Sequence, residues 1–348
     1  MKFDVITIGT ATMDVFLTSR FFKVLKDRKH LEKIGFFVGE AQCFALGSKM
    51  EIDKPIFTTG GGATNAAVTF SRQGLKTAVI AKIGNDGAGS QILKELEKEK
   101  IKLFFAEDKN KGTAYSTILL EPKGERTILV YRGASEDLKE RDIPFGDLNG
   151  QWIYISPGKI DLSLLKKIVD YYFKKGSLIA INPSKNFIEA GIKKLEPILR
   201  KTKLFILNRE EASYFTGIPY DNEAEIFRSL DRIVKGIVAM TDGKNGAMVS
   251  DGFNIYKSKN FKEKIIIDRT GAGEAFASGF VTGLIRQGEK CEKGLCERFN
   301  IEYAVRCGAA NATSVIERVG AKAGILTKNE FEKNKRWKIL EIDKYKNS

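Results

Sequence analysis

The chain has 348 residues, 43% of them apolar and 29% charged, with a formal net charge of +14 at pH 7. That apolar fraction supports a buried core and excludes a disordered chain. No apolar run is long enough to span a bilayer, and the N-terminal run Met1 to Gly9 is a short strand rather than a signal peptide, so a cytosolic protein is expected. The single histidine, His30, sits in a charged stretch, which argues against a histidine-based triad or metal site. Acid–base chemistry must then rest on carboxylates, Lys, Tyr or Cys. Cys43, Cys291, Cys296 and Cys307 lack the close pairing of a zinc site and are expected as reduced thiols. The lysines are spread over many amphipathic segments, without the interleaved aromatics of a stacking platform. No nucleic-acid partner and no membrane are expected; a basic surface favours small anions such as a nucleoside triphosphate.

In chain order, residues 3–9 read as a buried strand. Residues 10–59 read as short strands and loops, with β-type runs at Phe36-Phe37-Val38 and Phe44-Ala45-Leu46. Thr64 to Gly74 predicts a helix closed by Gly74 at C′. A strand at 77–83 and a helix at 88–100 follow. Residues 114–120 and 127–131 predict a hairpin around Pro122-Lys123-Gly124-Glu125. From residue 151, strands at 152–156, 178–182, 204–207 and 236–241 alternate with helices, notably 162–174 and 210–216. Ile265-Ile266-Ile267 is strand-like, and helices are expected at about 273–287 and 299–315. This alternation predicts an α/β fold, a mostly parallel sheet with helices on both faces. One domain is expected over residues 1–335, with a small β-sheet lid from about 11–59 and 100–132, and a charged tail at 336–348.

Two absences narrow the chemistry: there is no G-x-x-x-x-G-K-[ST] and no G-x-G-x-x-G after the first strand. Four positive signals remain. Gly60-Gly61-Gly62-Ala63-Thr64-Asn65 lets backbone approach a ligand and places an amide at a helix entry; a tight turn with an Asn cap is the plainer reading. Thr270-Gly271-Ala272-Gly273-Glu274 opens a helix with small residues, an environment for an anion or a phosphoryl group in flight. Asn208-Arg209-Glu210-Glu211 can hold a hydrated magnesium ion, or can simply cap a helix. Thr241-Asp242-Gly243-Lys244-Asn245-Gly246 is a strand-end turn suited to nucleotide phosphates, though a plain β-turn reads the same.

Together these motifs resemble the ribokinase-like, or PfkB-type, carbohydrate kinase family, over about residues 3–330. The glycine run with Asn65, followed by Gly74 and Gly84, is similar to the family's N-terminal signature. Asp268 to Phe280 is similar to its C-terminal signature. Asn208 and Glu211 match its N-x-x-E element, and Thr241, Gly243 and Gly246 its T-x-G-x-x-G turn. The resemblance implies transfer of the ATP γ-phosphoryl to a sugar or nucleoside hydroxyl. It implies Asp14, Gly61, Gly62 and Asn65 at the acceptor and Gly271, Ala272 and Gly273 as the anion hole. It further implies Asn208, Thr241, Gly243, Gly246 and Asn311 at the nucleotide, and Mg2+ at Glu211 through water. A monovalent cation such as K+ near Asp268 and residues 315–320, and a homodimer through the lid, belong to the same set of implications.

The sequence departs from the family at Glu274, where the family's base is Asp. One more methylene moves a carboxylate by roughly 1.5 Å on a fixed backbone, and a misplacement of about 1 Å can cost on the order of 100-fold. Glu274 can curl back and serve as base, can serve slowly, or can leave a regulator that binds nucleotide and sugar without turnover. Arg269, where the family often has Thr, can meet a nucleotide phosphate or stay solvated. Arg126 and Arg132, beside the lid hairpin, can meet an anionic acceptor or stay as exposed strand arginines.

Overall fold

A computed structural model of the chain describes residues 1–34, 39–121, 126–146, 148–288 and 299–347. Among the described residues, ten strands form one sheet. Seven of them run parallel, in the spatial order Ile237–Thr241, Leu204–Asn208, Leu178–Ile181, Asn149–Ser156, Lys2–Gly9, Thr77–Gly84 and Lys102–Asp108. The side chains alternate between two cores, as a strand's period of two requires. Ile6, Ile8, Ile153 and Ile155 point to one core, under the helices Leu162–Lys174, Ile192–Leu199 and Glu223–Asp231. Val5, Trp152 and Tyr154 point to the other, under Gly62–Arg72, Ala272–Gly288 and Ile301–Ile316. Both faces are covered, which is why these strands read as near-continuous apolar runs.

The lid is a separate sheet of four strands in the order Ile56–Gly60, Thr12–Thr18, Ala114–Leu120, Arg126–Tyr131. Ala114–Leu120 and Arg126–Tyr131 pair antiparallel, as the hairpin expectation has it. The expected turn at 122–125 lies outside the described residues, as does the run Phe36-Phe37-Val38.

Four expectations need correction. Lys102–Asp108, expected in the lid, is the edge strand of the main sheet, with Leu103 and Phe105 packed on its core. Phe44-Ala45-Leu46 is not a strand; the pairing falls on Lys23–Lys26 with Glu40–Cys43 instead. Ile265-Ile266-Ile267 is not a strand: Ile265 is 58% exposed, and the Ile267 and Asp268 amides donate to the Ile316 carbonyl. Residues 336–348, expected as a charged tail, include the strand Ile342–Lys346, which pairs antiparallel with Asn254–Ser258 and closes the main sheet's other edge. Its charged side chains suit an exposed edge strand. Among the described residues, Cys43 and Cys307 are free thiols and no helix is long and apolar enough to cross a membrane; Cys291 and Cys296 lie outside them.

Candidate active site

The parallel strands end together. Gly9 is in register with Ser156, and Asn208 with Thr241, so the loops that follow share one rim of the sheet. Ligands of open parallel sheets bind outside the carboxyl ends of the strands. A cavity of about 160 Å³ opens there, with Asp14, Asn65, Gly271 and Glu274 in its wall. Asp14 and Glu274, 260 positions apart in sequence, are thereby brought to one cavity.

Asp14 lies on the lid strand Thr12–Thr18 and is 7% exposed. Thr12 Oγ1 donates to its Oδ1 at 2.9 Å. The parallel register sets Ser116 beside it, where its hydroxyl favours the ionised carboxylate. Burial holds the Asp14 pKa above the ordinary carboxylate value; the two hydroxyls and the charge of Lys322 oppose it, and Asp268 adds to it.

The glycine loop is shaped by close approach. Gly61 has φ +100°, and a Cβ there would fall 2.5 Å from the Thr10 carbonyl oxygen. A Cβ on Gly60 would fall 1.9 Å from Asp14 Oδ2. Gly62 N–H donates to Thr10 Oγ1 at 2.9 Å. The helix begins at Gly62 with Gly61 as its N-cap, so Asn65 is inside the first turn and is not the cap. Its Oδ1 is buried and has no hydrogen-bond partner among the described residues. Thr270 Oγ1, in the opposite wall, is likewise buried and unpartnered. Orphaned polar atoms at a cavity wall are what an incoming polyhydroxylated ligand satisfies.

Gly271 turns the chain at φ +78°, and a Cβ there would strike Ala321 at 2.5 Å. The helix Ala272–Gly288 follows. Its first amides lack intrahelical acceptors, and its dipole favours negative charge at this end. Glu274 stands in its first turn. Burial raises its pKa; its own backbone N–H opposes, the charge of Asp14 adds, and the charge of Arg126 opposes. A Cβ on Gly62 would fall 2.0 Å from Ser156 Oγ, with Glu274 Cγ at an ordinary contact distance of 3.9 Å. Beneath it, the hydroxyl of Tyr154 is buried and unpartnered, and the negative charge of Glu274 adds to the burial that holds this phenol un-ionised.

Asn208 and Glu211 form a capping box: Glu211 N–H donates to Asn208 Oδ1 at 2.7 Å, and Asn208 N–H donates to Glu211 Oε2 at 2.9 Å. The helix-cap reading of this motif is therefore realised, and it fixes the Glu211 carboxylate at the rim. Burial raises the Glu211 pKa, opposed by the Asn208 amide, with Glu274 and Glu210 adding. Carboxylates that feel one another across a cleft suit a hydrated divalent cation. In the turn after Thr241, Gly246 is at φ +97°, where a Cβ would fall 1.9 Å from the Ser258 carbonyl oxygen, and Gly243 has open space around it. Asp242 is not free for a ligand: it accepts from Arg209 Nη1 at 2.9 Å and from the Tyr220 hydroxyl.

Two expected site residues are buried and bonded within the protein. Asn311 is 2% exposed. Its Nδ2 donates to the Ala275 carbonyl at 2.9 Å and to Thr69 Oγ1 at 3.3 Å, and its Oδ1 accepts from Leu326 N–H at 3.0 Å. It ties helices together. Asp268 is 1% exposed, and accepts from Thr270 N–H at 2.9 Å and Gly320 N–H at 3.0 Å. One amide on each of its oxygens lets this carboxylate anchor the turn.

Lys322 was hidden from sequence reading, which assigns lysines to the surface. It is 5% exposed, bonded to Thr59 Oγ1 and 3.8 Å from Glu95 Oε1. Thr59 in turn donates to Glu95 at 2.8 Å. Burial lowers its pKa from 10.5 to about 8, against the pull of Glu95, Asp14 and Glu99, with Arg72 adding. Between those two values the unfolded chain holds a proton that the folded chain has lost, so this group makes stability rise with pH. The displacement corresponds to about 3 kcal/mol. Urea denaturation of wild type and Lys322→Met should show wild type gaining on the variant from pH 8 to pH 10; parallel pH profiles would contradict the burial of a charged lysine here.

Comparisons with known proteins give the family and the fold. The pattern describing the pfkB family carbohydrate kinases matches residues 28–328. An uncharacterized sugar kinase of Archaeoglobus fulgidus is 29% identical over 262 residues, covering 74% of this chain and 97% of the relative. A cytidine kinase of Thermococcus kodakarensis is 28% identical over 255 residues, covering 70% and 86%. Among solved structures, ribokinase from Giardia lamblia superposes with a TM-score of 0.76 at 17% identity, covering 95% of this chain and 97% of that one. Arabidopsis thaliana ribokinase complexed with ribose and ATP gives 0.73 at 18%, covering 97% and 100%. The fold is that of ribokinase. The chain belongs to the pfkB family of carbohydrate kinases and is a phosphotransferase of that class.

Proposed function

We propose that the chain moves the γ-phosphoryl of MgATP to a hydroxyl of a sugar or nucleoside, with Glu274 as general base. The observation that carries this reading is the meeting of Glu274, Asp14, Asn65 and the Gly271 turn in one cavity. Asp14 and Asn65 hold and orient acceptor hydroxyls. Glu274 accepts the proton of the attacking hydroxyl while that oxygen bonds to phosphorus and the bridging P–O bond to ADP breaks. The amides of Gly271, Ala272 and Gly273, with the helix dipole, face the charge on the phosphoryl in transit. Asn208, Thr241, Gly243 and Gly246 form the rim where the nucleotide lies, and Glu211 holds Mg2+ through water. The bound Mg2+ supplies charge neutralisation on the phosphates. No step is assigned to a monovalent cation.

A homodimer through the lid is proposed on the exposure of Phe57, Leu129 and Tyr131, which by alternation lie on the face opposite the cavity; light scattering would show a single-chain mass if this is wrong. The catalytic proposal is tested by ADP release over pentoses, hexoses, phosphosugars and nucleosides. At least one acceptor should raise ADP release well above background hydrolysis. A flat panel would count against it.

A further inference from the structure

The core beneath the site holds one polar group that packing leaves unexplained. Tyr154 is fully buried on the strand Asn149–Ser156, and its hydroxyl has no hydrogen-bond partner among the described residues. Its ring meets Phe70 edge to face, with centroids 5.7 Å apart, a contact that a phenylalanine would make as well. Keeping a hydroxyl desolvated and unbonded is costly, and a partner that moves onto it removes the cost. The charge that acts on this hydroxyl is that of Glu274.

The strand and the helix bring the two groups together. Tyr154 lies one pleat below Ser156 on the same face of its strand, and Ser156 is the rim residue in register with Gly9. The space that a Cβ on Gly62 would take is flanked by Ser156 Oγ at 2.0 Å and by Glu274 Cγ at 3.9 Å. Glu274 stands three residues before Ala277 and seven before Val281, on one stripe of its helix. Ala277, Val281 and Tyr154 share one core. The carboxylate is therefore at the top of a stripe whose lower residues cover the phenol. A turn about the side-chain bonds of Glu274 is the movement that would join them, and an aspartate, one methylene shorter, reaches down less far.

Resting on the kinase reading above, we infer that Tyr154 is the positioning residue of Glu274: its hydroxyl donates to the ionised carboxylate as the side chain curls back, and holds it for the proton of the acceptor hydroxyl. Burial and the charge of Glu274 keep the phenol protonated, so it donates throughout the neutral range and no proton leaves it. A donor to the ionised carboxylate favours that form. It thereby opposes, without cancelling, the burial and the Asp14 charge that raise the Glu274 pKa. The other charges that face Glu274 are Arg126 of the lid and Glu211 at the rim.

The test has one readout that needs no turnover and one that does. The titration of Glu274 is followed by ¹³C NMR of the glutamate-labelled full chain, its resonance assigned by loss in Glu274→Gln. Turnover is followed by ADP release across pH. In Tyr154→Phe, the Glu274 titration and the acid limb of kcat/KM should both move up by about one to two pH units. At pH 7, kcat/KM should fall roughly 10- to 100-fold, the worth of a hydrogen bond to a charged group. On a Glu274→Ala background, where no carboxylate is left to hold, Tyr154→Phe should change kcat little. An unmoved titration in Tyr154→Phe overturns the inference, whatever the stability of the variant. An equal loss of kcat on the Glu274→Ala background overturns it too, since the phenol would then act by another route. So does a shift in Ser156→Ala with none in Tyr154→Phe, which gives the bond to the rim hydroxyl. Turnover with an unmoved titration defeats only this inference. A moved titration in a protein that turns over no acceptor supports the Tyr154–Glu274 bond and defeats the phosphotransfer reading.

Discussion

Glu274→Gln should lower kcat by about 10²- to 10⁴-fold, the contribution of a positioned general base, while leaving the acceptor KM within a few fold. The amide keeps the shape of the side chain but cannot take the hydroxyl proton. The same substitution should stabilise the fold at neutral pH. Burial raises the Glu274 pKa, with Asp14 adding, so the folded protein binds this proton more tightly than the unfolded chain does. Ionisation therefore costs stability above the folded pKa, and that cost is absent below the unfolded value of about 4.3. The thermal midpoint of Glu274→Gln should exceed that of wild type at pH 7, with the gap closing on acidification. For the same reason the acid limb of kcat/KM should lie above the ordinary glutamate range. An unaltered kcat, or a variant less stable at pH 7 than wild type, would contradict the role given to this residue.

Asp14→Asn should raise the acceptor KM by roughly 10- to 100-fold, the worth of a charge-assisted hydrogen bond, and leave the KM for ATP unchanged. The carboxylate is oriented by Thr12 and sits 7% exposed beside Ser116, within the field of Lys322. It can accept from acceptor hydroxyls; an asparagine in its place turns one acceptor oxygen into a donor. The effect should fall on KM more than kcat because Asp14 is proposed to touch the part of the acceptor that does not react. Steady-state kinetics in both substrates reads this directly. An acceptor KM that does not move would remove Asp14 from the acceptor site.

Much of the site was legible because it is written in backbone constraints. Gly61, Gly246 and Gly271 carry positive φ where a side chain would collide with neighbouring backbone or, for Gly271, with Ala321. The alternation of strand and helix from residue 151 gave the parallel sheet, since residues covered on both faces leave continuous apolar runs. What was not legible depends on register and on partners remote in sequence. Ser116 joins Asp14 only through a parallel pairing between lid strands. Asn311 is bonded to Leu326, Ala275 and Thr69, partners its position in the sequence does not announce. Ile265-Ile266-Ile267 has strand composition but no sheet edge to join, because the main sheet's edges are Lys102–Asp108 and Ile342–Lys346. The latter edge was hidden by its own charges. Lys322 was hidden by the general rule that lysines are solvated, and Glu95 and Thr59 are what make the exception.

The most direct test of the whole account is the rate of phosphomonoester formation, followed by ³¹P NMR with MgATP and the best acceptor. Wild type, Glu274→Asp and Glu274→Ala are compared. Wild type should convert the γ-phosphoryl of ATP into an acceptor monoester. Glu274→Asp should retain transfer within about 100-fold of it, and Glu274→Ala should fall by about 10²- to 10⁴-fold. Equal rates for wild type and Glu274→Ala, or transfer by Glu274→Asp alone, would contradict the assignment of Glu274 as the working base of this site.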